Sequence, residues 1–251
     1  DQGADTLNGG TGNDWAHYGS SNAVVNVDLS TGIVSGGHAQ GDILNSIENV
    51  LGSGFDDVLI GNSGRNELRG MNGDDSLSGG AGLDYLEGGD GNDSLDGGAG
   101  SDWANYLTAS TALVIELANS AANTGSEAVG DTYVSIENVV GSSFDDTITG
   151  DAGNNFIRGY FGDDVLFGGA GNDTLIGERG ADALDGGAGT DWAQYANSLQ
   201  GVQIDLAAGT ATGGDAQGDT FTSIENVFGS KHNDTLIGDV GNNYLRGNAG
   251  G

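Results

Sequence analysis

Aspartate recurs at every ninth residue in two stretches of the sequence, and this spacing carries the clearest chemistry. From Gly70 the chain reads GMNGDDSLS, GGAGLDYLE, GGDGNDSLD and GGAGSDWAN. From Gly159 it reads GYFGDDVLF, GGAGNDTLI, GERGADALD and GGAGTDWAQ. The shared form is G-G-x-G-x-D-x-U-x, in which U is a large apolar residue. Carboxylates and backbone carbonyls are the oxygen ligands of hard divalent cations such as Ca²⁺, so the repeat predicts cation sites in its turns.

The composition excludes several classes of protein. The 251 residues include 50 glycines, no proline, no cysteine, and 37 acidic against 6 basic side chains, for a net charge of −31. Such a chain cannot replace the counterions of a nucleic acid. It has no disulfide framework or thiolate site, and no apolar stretch approaches the length of a membrane span. No catalytic cluster is present, so we expect a non-enzymatic chain.

The nonapeptide predicts half of one coil of a solenoid. Glycines allow G-G-x-G-x-D to turn tightly, and x-U-x is long enough for a very short strand with only U facing inward. Two consecutive nonapeptides would close one coil. The predicted fold is all-β: a right-handed parallel β-roll or β-solenoid of stacked 18-residue coils, interrupted by strand-and-loop spacers.

Burial of apolar surface does not by itself explain the stability of such a stack. One large apolar side chain in each nonapeptide offers little burial against the entropy of ordering the whole repeat. Stacking also brings the aspartates of successive coils together, and they repel one another. A divalent cation between coils would remove both difficulties. The alternative is a glycine-rich solenoid that holds no metal.

A second period divides the chain into modules. Trp15, Trp103 and Trp192 lie 88 and 89 residues apart, and Ile-Glu-Asn-Val recurs at similar intervals. Each module joins an array of nonapeptides to a spacer that opens with an alternating, strand-like run. The predicted division is an array end at 1–18, a spacer at 19–51, an array at 52–106, a spacer at 107–140, an array at 141–195, a spacer at 196–228, and the start of a third array at 229–251. We expect the chain to be a piece of a longer protein.

The tandem nonapeptides resemble those of the RTX (repeats-in-toxin) calcium-binding proteins. The spacer-bearing module is similar to RTX regions of serralysin-type proteases, mannuronan epimerases and large secreted adhesins. The resemblance implies multiple Ca²⁺ ions as cofactor, with same-side partners two nonapeptides apart and turn carbonyls completing each site. The implied metal ligands are Asp57, Asp75, Asp84, Asp93, Asp102, Asp146, Asp164, Asp173, Asp182 and Asp191, with Asp5, Asp14 and Asp234 in less regular turns.

One turn of each array departs from the motif. Asparagine replaces the aspartate at Asn66, Asn155 and Asn243. We expect these turns to be free of ions and held by hydrogen bonds, the alternative being weak occupancy. A glutamate falls at the equivalent position one coil earlier, at Glu48, Glu137 and Glu225. Each glutamate either lies over an asparagine turn or is a solvated edge residue.

Two further residue types recur in register with the modules. Arg69, Arg158 and Arg246 follow the asparagine turns, where they either offset nearby carboxylates or form surface salt bridges of little stability. Alternation points Trp15, Trp103 and Trp192 outward, where they either cover the spacer or contact a glycan. The tyrosine three positions further on, at Tyr18, Tyr106 and Tyr195, is expected to face the core.

These features predict an extracellular or cell-surface region that folds on binding Ca²⁺. The resemblance also implies export by a type I secretion system. One role is a structural, adhesive or spacer array, as a monomeric solenoid or part of a longer array. The alternative role is an accessory module of a secreted hydrolase, protease or epimerase. In that role the region aids folding or binds a polysaccharide or cell-surface glycan.

Overall fold

A computed structural model describes residues 3–248, so the ends of the predicted terminal arrays, residues 1–2 and 249–251, lie outside the described residues. The first strands are β1 Thr6–Asn8, β2 Trp15–His17, β3 Asn26–Asp28, β4 Ile33–Ser35, β5 Ile43–Asn45, β6 Asn49–Leu51, β7 Val58–Ile60, β8 Glu67–Asn72, β9 Ser76–Gly82, β10 Tyr85–Asp90, β11 Ser94–Gly100 and β12 Trp103–Asn105. They are followed by β13 Val114–Glu116, β14 Thr132–Val134, β15 Asn138–Val140, β16 Thr147–Thr149, β17 Phe156–Phe161, β18 Val165–Gly171, β19 Thr174–Arg179, β20 Ala183–Gly189, β21 Trp192–Gln194, β22 Gln203–Asp205, β23 Thr210–Thr212, β24 Thr220–Thr222, β25 Asn226–Phe228, β26 Thr235–Ile237 and β27 Tyr244–Arg246. Short 3-10 helices span Gly37–Ala39, Ser120–Ala122 and Gly214–Ala216.

The chain forms two compact units, and unit 1 contains the described residues up to Thr108 together with Ser126–Ile136. One of its sheets has the order β2-β6-β8-β10-β12, with every pair parallel. Its second sheet has the order β14-β11-β9-β7-β3-β4 and is parallel except for the last pair. β1 and β5 form a separate parallel pair.

Unit 2 contains Ala109–Gly125 together with the described residues from Glu137 onward. It repeats the same plan, with a parallel sheet of order β15-β17-β19-β21-β25-β27. Its other sheet has the order β13-β16-β18-β20-β24-β23-β22-β26, in which only the two pairs made by β23 are antiparallel.

A ladder of U residues forms the core, and its register confirms that two nonapeptides make one coil. Leu59 pairs with Leu77, and Leu77 with Leu95. In unit 2, Ile148 pairs with Leu166. These side chains are buried. Since consecutive nonapeptides supply strands to opposite sheets, each coil contributes one apolar residue to each side. The predicted all-β parallel β-roll is therefore confirmed.

The strands differ from the prediction in length and, within the spacers, in direction. Where complete repeats stack, the strands are longer than x-U-x because the turn glycines also pair, as Gly80 does with Gly98. In two spacers the alternating run doubles back as an antiparallel hairpin. Asp28 favours the first reversal, since its carboxylate accepts the N–H groups of Ser30 and Thr31. No helix among residues 3–248 is long and apolar enough to cross a membrane.

Candidate metal centres

The aspartates of successive coils stack into four rows, two in each unit. Row 1 contains Asp57, Asp75, Asp93 and Asp131; row 2 contains Asp84 and Asp102 after Asn66; row 3 contains Asp146, Asp164, Asp182 and Asp219; row 4 contains Asp173 and Asp191 after Asn155. Within a row, each backbone N–H donates to Oδ1 of the carboxylate one coil later. The distance is 2.8 Å from Asp75 to Asp93 and 2.9 Å from Asp164 to Asp182. The spacing of two nonapeptides therefore brings the predicted partners together.

The second carboxylate oxygen, Oδ2, receives no hydrogen bond at most positions in the rows. Each of these aspartates is at most 2 % exposed. They are Asp75, Asp84, Asp93, Asp164, Asp173, Asp182 and Asp191. A buried acceptor without a donor is costly and rare in native proteins. Recurrence of this arrangement coil after coil indicates that these oxygens suit a cationic partner.

The first glycine of each repeat leaves open the space that such a cation needs. A Cβ added at Gly79 would lie 2.5 Å from Oδ2 of Asp84 and 2.8 Å from the carbonyl oxygen of Gly97. One oxygen comes from the same repeat and the other from the next coil. Two acceptors that face one space fit a hard, oxygen-binding cation such as Ca²⁺.

Burial also raises the pKa values of these carboxyls. Desolvation raises the pKa of Asp75 to about 8, and the charges of Asp93 and Asp57 act in the same direction, although the hydrogen bond from the Asp57 N–H lowers it. The pKa of Asp164 is raised to about 8, again chiefly by desolvation. At neutral pH these groups therefore hold a proton or need a neighbouring positive charge.

Serine residues satisfy the first carboxylate of rows 1 and 3. The hydroxyl of Ser53 donates to Oδ1 of Asp57 at 2.8 Å, and its backbone N–H donates to Oδ2. Ser142 makes the same two bonds to Asp146, at 2.9 and 2.5 Å. Although Asp57 and Asp146 were predicted as ligands, hydrogen bonds already stabilise both of their carboxylate oxygens.

Tyrosines satisfy the last carboxylate of rows 1 and 3, and the sequence analysis missed these aspartates. The hydroxyl of Tyr106 donates to Oδ2 of Asp131 at 2.6 Å, and Tyr195 donates to Asp219 at 2.6 Å. Tyr18 makes the equivalent bond to Asp42 at 3.0 Å. The phenol hydroxyl therefore donates to Oδ2, the oxygen that receives no hydrogen bond at the positions inside the row. All three tyrosines are buried, as predicted.

The asparagine turns are closed by hydrogen bonds. Oδ1 of Asn66 accepts the N–H of Asn62 at 2.7 Å, and Nδ2 donates to the carbonyl oxygen of Glu48 at 2.6 Å. Asn155 and Asn243 repeat the pattern with the carbonyls of Glu137 and Glu225. The amide N–H thus bonds to an oxygen of the neighbouring coil without a metal, and the glutamate backbone lies over each asparagine turn.

The ligands predicted in irregular turns have more varied surroundings. Asp5 is exposed, and its N–H donates to Asp42. Asp14 and Asp234 are half-buried, and each has an Oδ2 that receives no hydrogen bond. The described surroundings of Asp5 are therefore less suited to a cation than those of the aspartates inside the rows.

The outward tryptophans and the arginines contact the sheets that carry them. Trp103 stacks on Tyr85 with ring centroids 5.7 Å apart, and the Trp192 and Tyr244 rings lie at 5.4 Å. Arg69 lies over Trp15, which is 39 % exposed. Arg69 and Arg158 also form ion pairs with glutamates at the surface. The tryptophan rings therefore contact side chains from other strands of their own sheet.

Among residues 3–248, no three histidine, aspartate or glutamate side chains converge as a metal site, so backbone carbonyls would have to share in binding.

Comparison with known proteins agrees with this geometry. The profile of one family, described as RTX calcium-binding nonapeptide repeat (4 copies), matches more than half of the chain. The matched segments are 1–22, 51–86, 69–104, 140–175, 158–193 and 222–251. A search of curated proteins returns no match.

Proposed function

The chain belongs to the RTX calcium-binding nonapeptide-repeat family, and from that premise we propose that it is an extracellular array whose coils fold on binding Ca²⁺. RTX repeats bind multiple Ca²⁺ ions and are typical of secreted bacterial proteins. The proposed role is structural: an adhesive or spacer region of a type I-secreted protein, without catalysis of its own. The proposed ligands are the aspartates inside the four rows, together with turn carbonyls.

The recurring bare Oδ2 atoms are the observation that carries this proposal. At the low calcium concentration of a cytosol, the net charge of −31 favours an expanded chain. At the millimolar calcium concentration outside a cell, ions bind between successive coils. Because the complete sites exist only in the folded state, their binding free energy becomes folding free energy. Each coil mainly contacts its neighbours, so order spreads along the stack.

Far-ultraviolet circular dichroism during a calcium titration tests the proposal. We expect an unfolded spectrum in EDTA, and a β spectrum that appears cooperatively as calcium rises toward millimolar. Magnesium should substitute poorly, because it demands a tighter octahedral site than two flexible turns provide. A β spectrum that is identical in EDTA and in calcium would refute calcium-coupled folding.

Paired variants assign the proposed ligands. Asp164→Asn with Asp182→Asn keeps the side-chain volumes but removes two row charges, so the calcium midpoint should rise about tenfold or more. Glu116→Gln removes a spacer charge outside the rows and should leave the midpoint unchanged. Equal midpoints in the two proteins would remove row 3 from the proposal.

A second candidate role is an accessory module that binds a polysaccharide or cell-surface glycan. The observation that favours it is an aromatic cluster on unit 1, where the stacked Tyr85 and Trp103 rings are parallel to within 5° and Arg65 lies over the Tyr85 ring. A glycan array probed with the calcium-loaded protein tests this role. Glycan binding that is abolished by Trp103→Ala supports this role. If no glycan binds, the structural role is the only candidate that remains.

A further inference from the structure

Three spacer serines adopt a backbone conformation that costs free energy. Ser46, Ser135 and Ser223 have φ angles of 49°, 49° and 50°. Each belongs to a Ser-Ile-Glu-Asn sequence at the point where a spacer returns to the solenoid. A residue with a Cβ is disfavoured in this left-handed region. Because the conformation recurs in all three spacers, we expect it to place a backbone group where the structure needs it.

The conformation aims the serine carbonyl at the glycine space beside the last aspartate of an array. Inside an array, the carbonyl of Gly97 faces the space over Gly79. At the array end, the nearest atoms to a Cβ on Gly186 include the Ser223 carbonyl oxygen and, at 2.7 Å, Oδ2 of Asp191. The Ser46 carbonyl faces Gly9 beside Asp14 in the same way. The spacer thus supplies the carbonyl oxygen that the next coil supplies inside an array.

The glutamate two positions after this serine replaces the next aspartate of the row. Oε2 of Glu225 accepts the backbone N–H of Asp191 at 2.9 Å, and Oε2 of Glu48 accepts that of Asp14 at 3.0 Å. Inside the rows the same N–H donates to an aspartate Oδ1, as from Asp173 to Asp191 at 2.8 Å. A glutamate near the end of the spacer therefore makes the bond that an aspartate one coil away makes elsewhere.

A third observation indicates that a ligand belongs there. Asp191 is fully buried, and its Oδ2 receives no hydrogen bond although it lies beside the Ser223 carbonyl. A buried carboxylate oxygen without a donor, next to a carbonyl oxygen that faces the same space, suits a cation. The opposite face of the solenoid is different at this spacer, because Tyr195 donates its hydroxyl to Asp219 and no metal is needed there.

We propose that the Asp191 carboxylate, the Ser223 carbonyl and the Glu225 carboxylate form a divalent-cation site that fastens the array to the following spacer. Asp14, Ser46 and Glu48 form its counterpart in unit 1. The proposal rests on the calcium-binding function above and extends it beyond the nonapeptides. The spacers at 19–51 and 196–228 are then each held by an ion on one face of the solenoid and by a tyrosine hydroxyl on the other.

Counting bound calcium in Glu225→Gln tests the proposal. Glutamine keeps an oxygen for the Asp191 N–H but removes the charge, so affinity at this site should fall at least about tenfold. Equilibrium dialysis at a free calcium concentration near the wild-type midpoint should find this half-filled site almost empty, a loss of about 0.4 ion per chain. Trp192 fluorescence should report the same weakening, because Trp192 follows Asp191 directly. Glu116→Gln is the matched control and should bind as wild type does.

The outcomes separate this site from the general function. Wild-type protein that binds no calcium refutes the proposed function itself. Wild-type binding with unchanged ion number and affinity in both Glu225→Gln and Glu48→Gln overturns only the spacer site. If Glu225→Gln does not fold even in excess calcium, Glu225→Asp decides. Recovery of folding and binding by the retained carboxylate supports the site, and failure to recover overturns it.

Discussion

Calcium removal and acidification should have opposite effects on this fold, and the row carboxyls set the size of the effect. Burial raises the pKa of Asp75 from 3.8 to about 8, and that of Asp164 equally. The pKa values of Asp84, Asp93 and Asp173 rise to about 6, and that of Asp182 to about 7, with desolvation as the largest cause. Without calcium, the folded chain therefore binds protons that the unfolded chain has already lost. This contribution to stability is complete below pH 3.8 and is lost as the pH rises toward 8.

The magnitude is comparable to the stability of a whole domain. At pH 7, a rise in pKa from 3.8 to about 8 corresponds to about 4 kcal/mol for one carboxyl. Allowing for solvent screening halves this to about 2 kcal/mol. The row carboxyls together then destabilise the calcium-free fold by about 10 kcal/mol, while a typical domain is stable by about 5–15 kcal/mol. Lowering the pH to 5 removes about half of that cost.

Circular dichroism in calcium-depleted buffer, without a chelator whose affinity varies with pH, measures the effect. We expect an unfolded chain at pH 7 and recovery of β structure at pH 5, which lies above the sequence pI of about 4.1, so that the chain keeps a net negative charge. In millimolar calcium the dependence on pH is the opposite. Protons compete with the ion for the carboxylates, so the calcium midpoint is higher at pH 5 than at pH 7. A calcium-depleted chain with as much β structure at pH 7 as at pH 5 would refute the reasoning.

Three substitutions test other parts of the structure. Denaturant unfolding of the calcium-loaded protein measures the first and the third, and a calcium titration measures the second. Tyr195→Phe leaves a buried oxygen of Asp219 without a donor and should cost about 1–3 kcal/mol, with the half-buried Tyr160→Phe as control; an equal loss in both variants would contradict the pairing. Gly168→Ala places a Cβ 2.6 Å from the carbonyl of Gly186 and should weaken calcium binding, whereas Gly54→Ala meets no atom within 4 Å and should not. Leu166→Ala removes a buried core residue and should cost about 2–5 kcal/mol; a loss below about 1 kcal/mol would argue against the apolar ladder.

The parts of the fold that follow a fixed period could be read from the sequence. The nonapeptide places Asp75, Leu77 and Gly79 at alternate positions, so strand alternation sends all three to the interior. The pairing of each nonapeptide with the one after next follows directly. Strand length did not follow, because glycine was interpreted only as a turn residue. In the solenoid Gly80 and Gly98 also extend the ladder between coils.

The row ends could not be predicted from the period because the spacers change the spacing. Asp131 receives the Asp93 N–H from 38 residues away, and Asp219 serves Asp182 from 37 residues away. A search at the spacing of one coil misses both. The recurring Gly-Asp before Ser-Ile-Glu-Asn was the available signal, but only the fold shows the phenol of Tyr195 against Asp219. The positive φ angle of Ser223 could not be predicted either, because serine as a residue type does not indicate that conformation. The division into arrays and spacers stays a prediction.

Anomalous diffraction from crystals grown in millimolar calcium tests the central claim most directly. The account predicts calcium peaks between successive carboxylates inside the rows, including the Asp75–Asp93 and Asp164–Asp182 pairs. It predicts none at the hydroxyl-bonded Oδ2 of Asp131 or Asp219. Ordered coils without anomalous density beside Asp75 and Asp164 would contradict it, because those buried oxygens would then be stable without the ion.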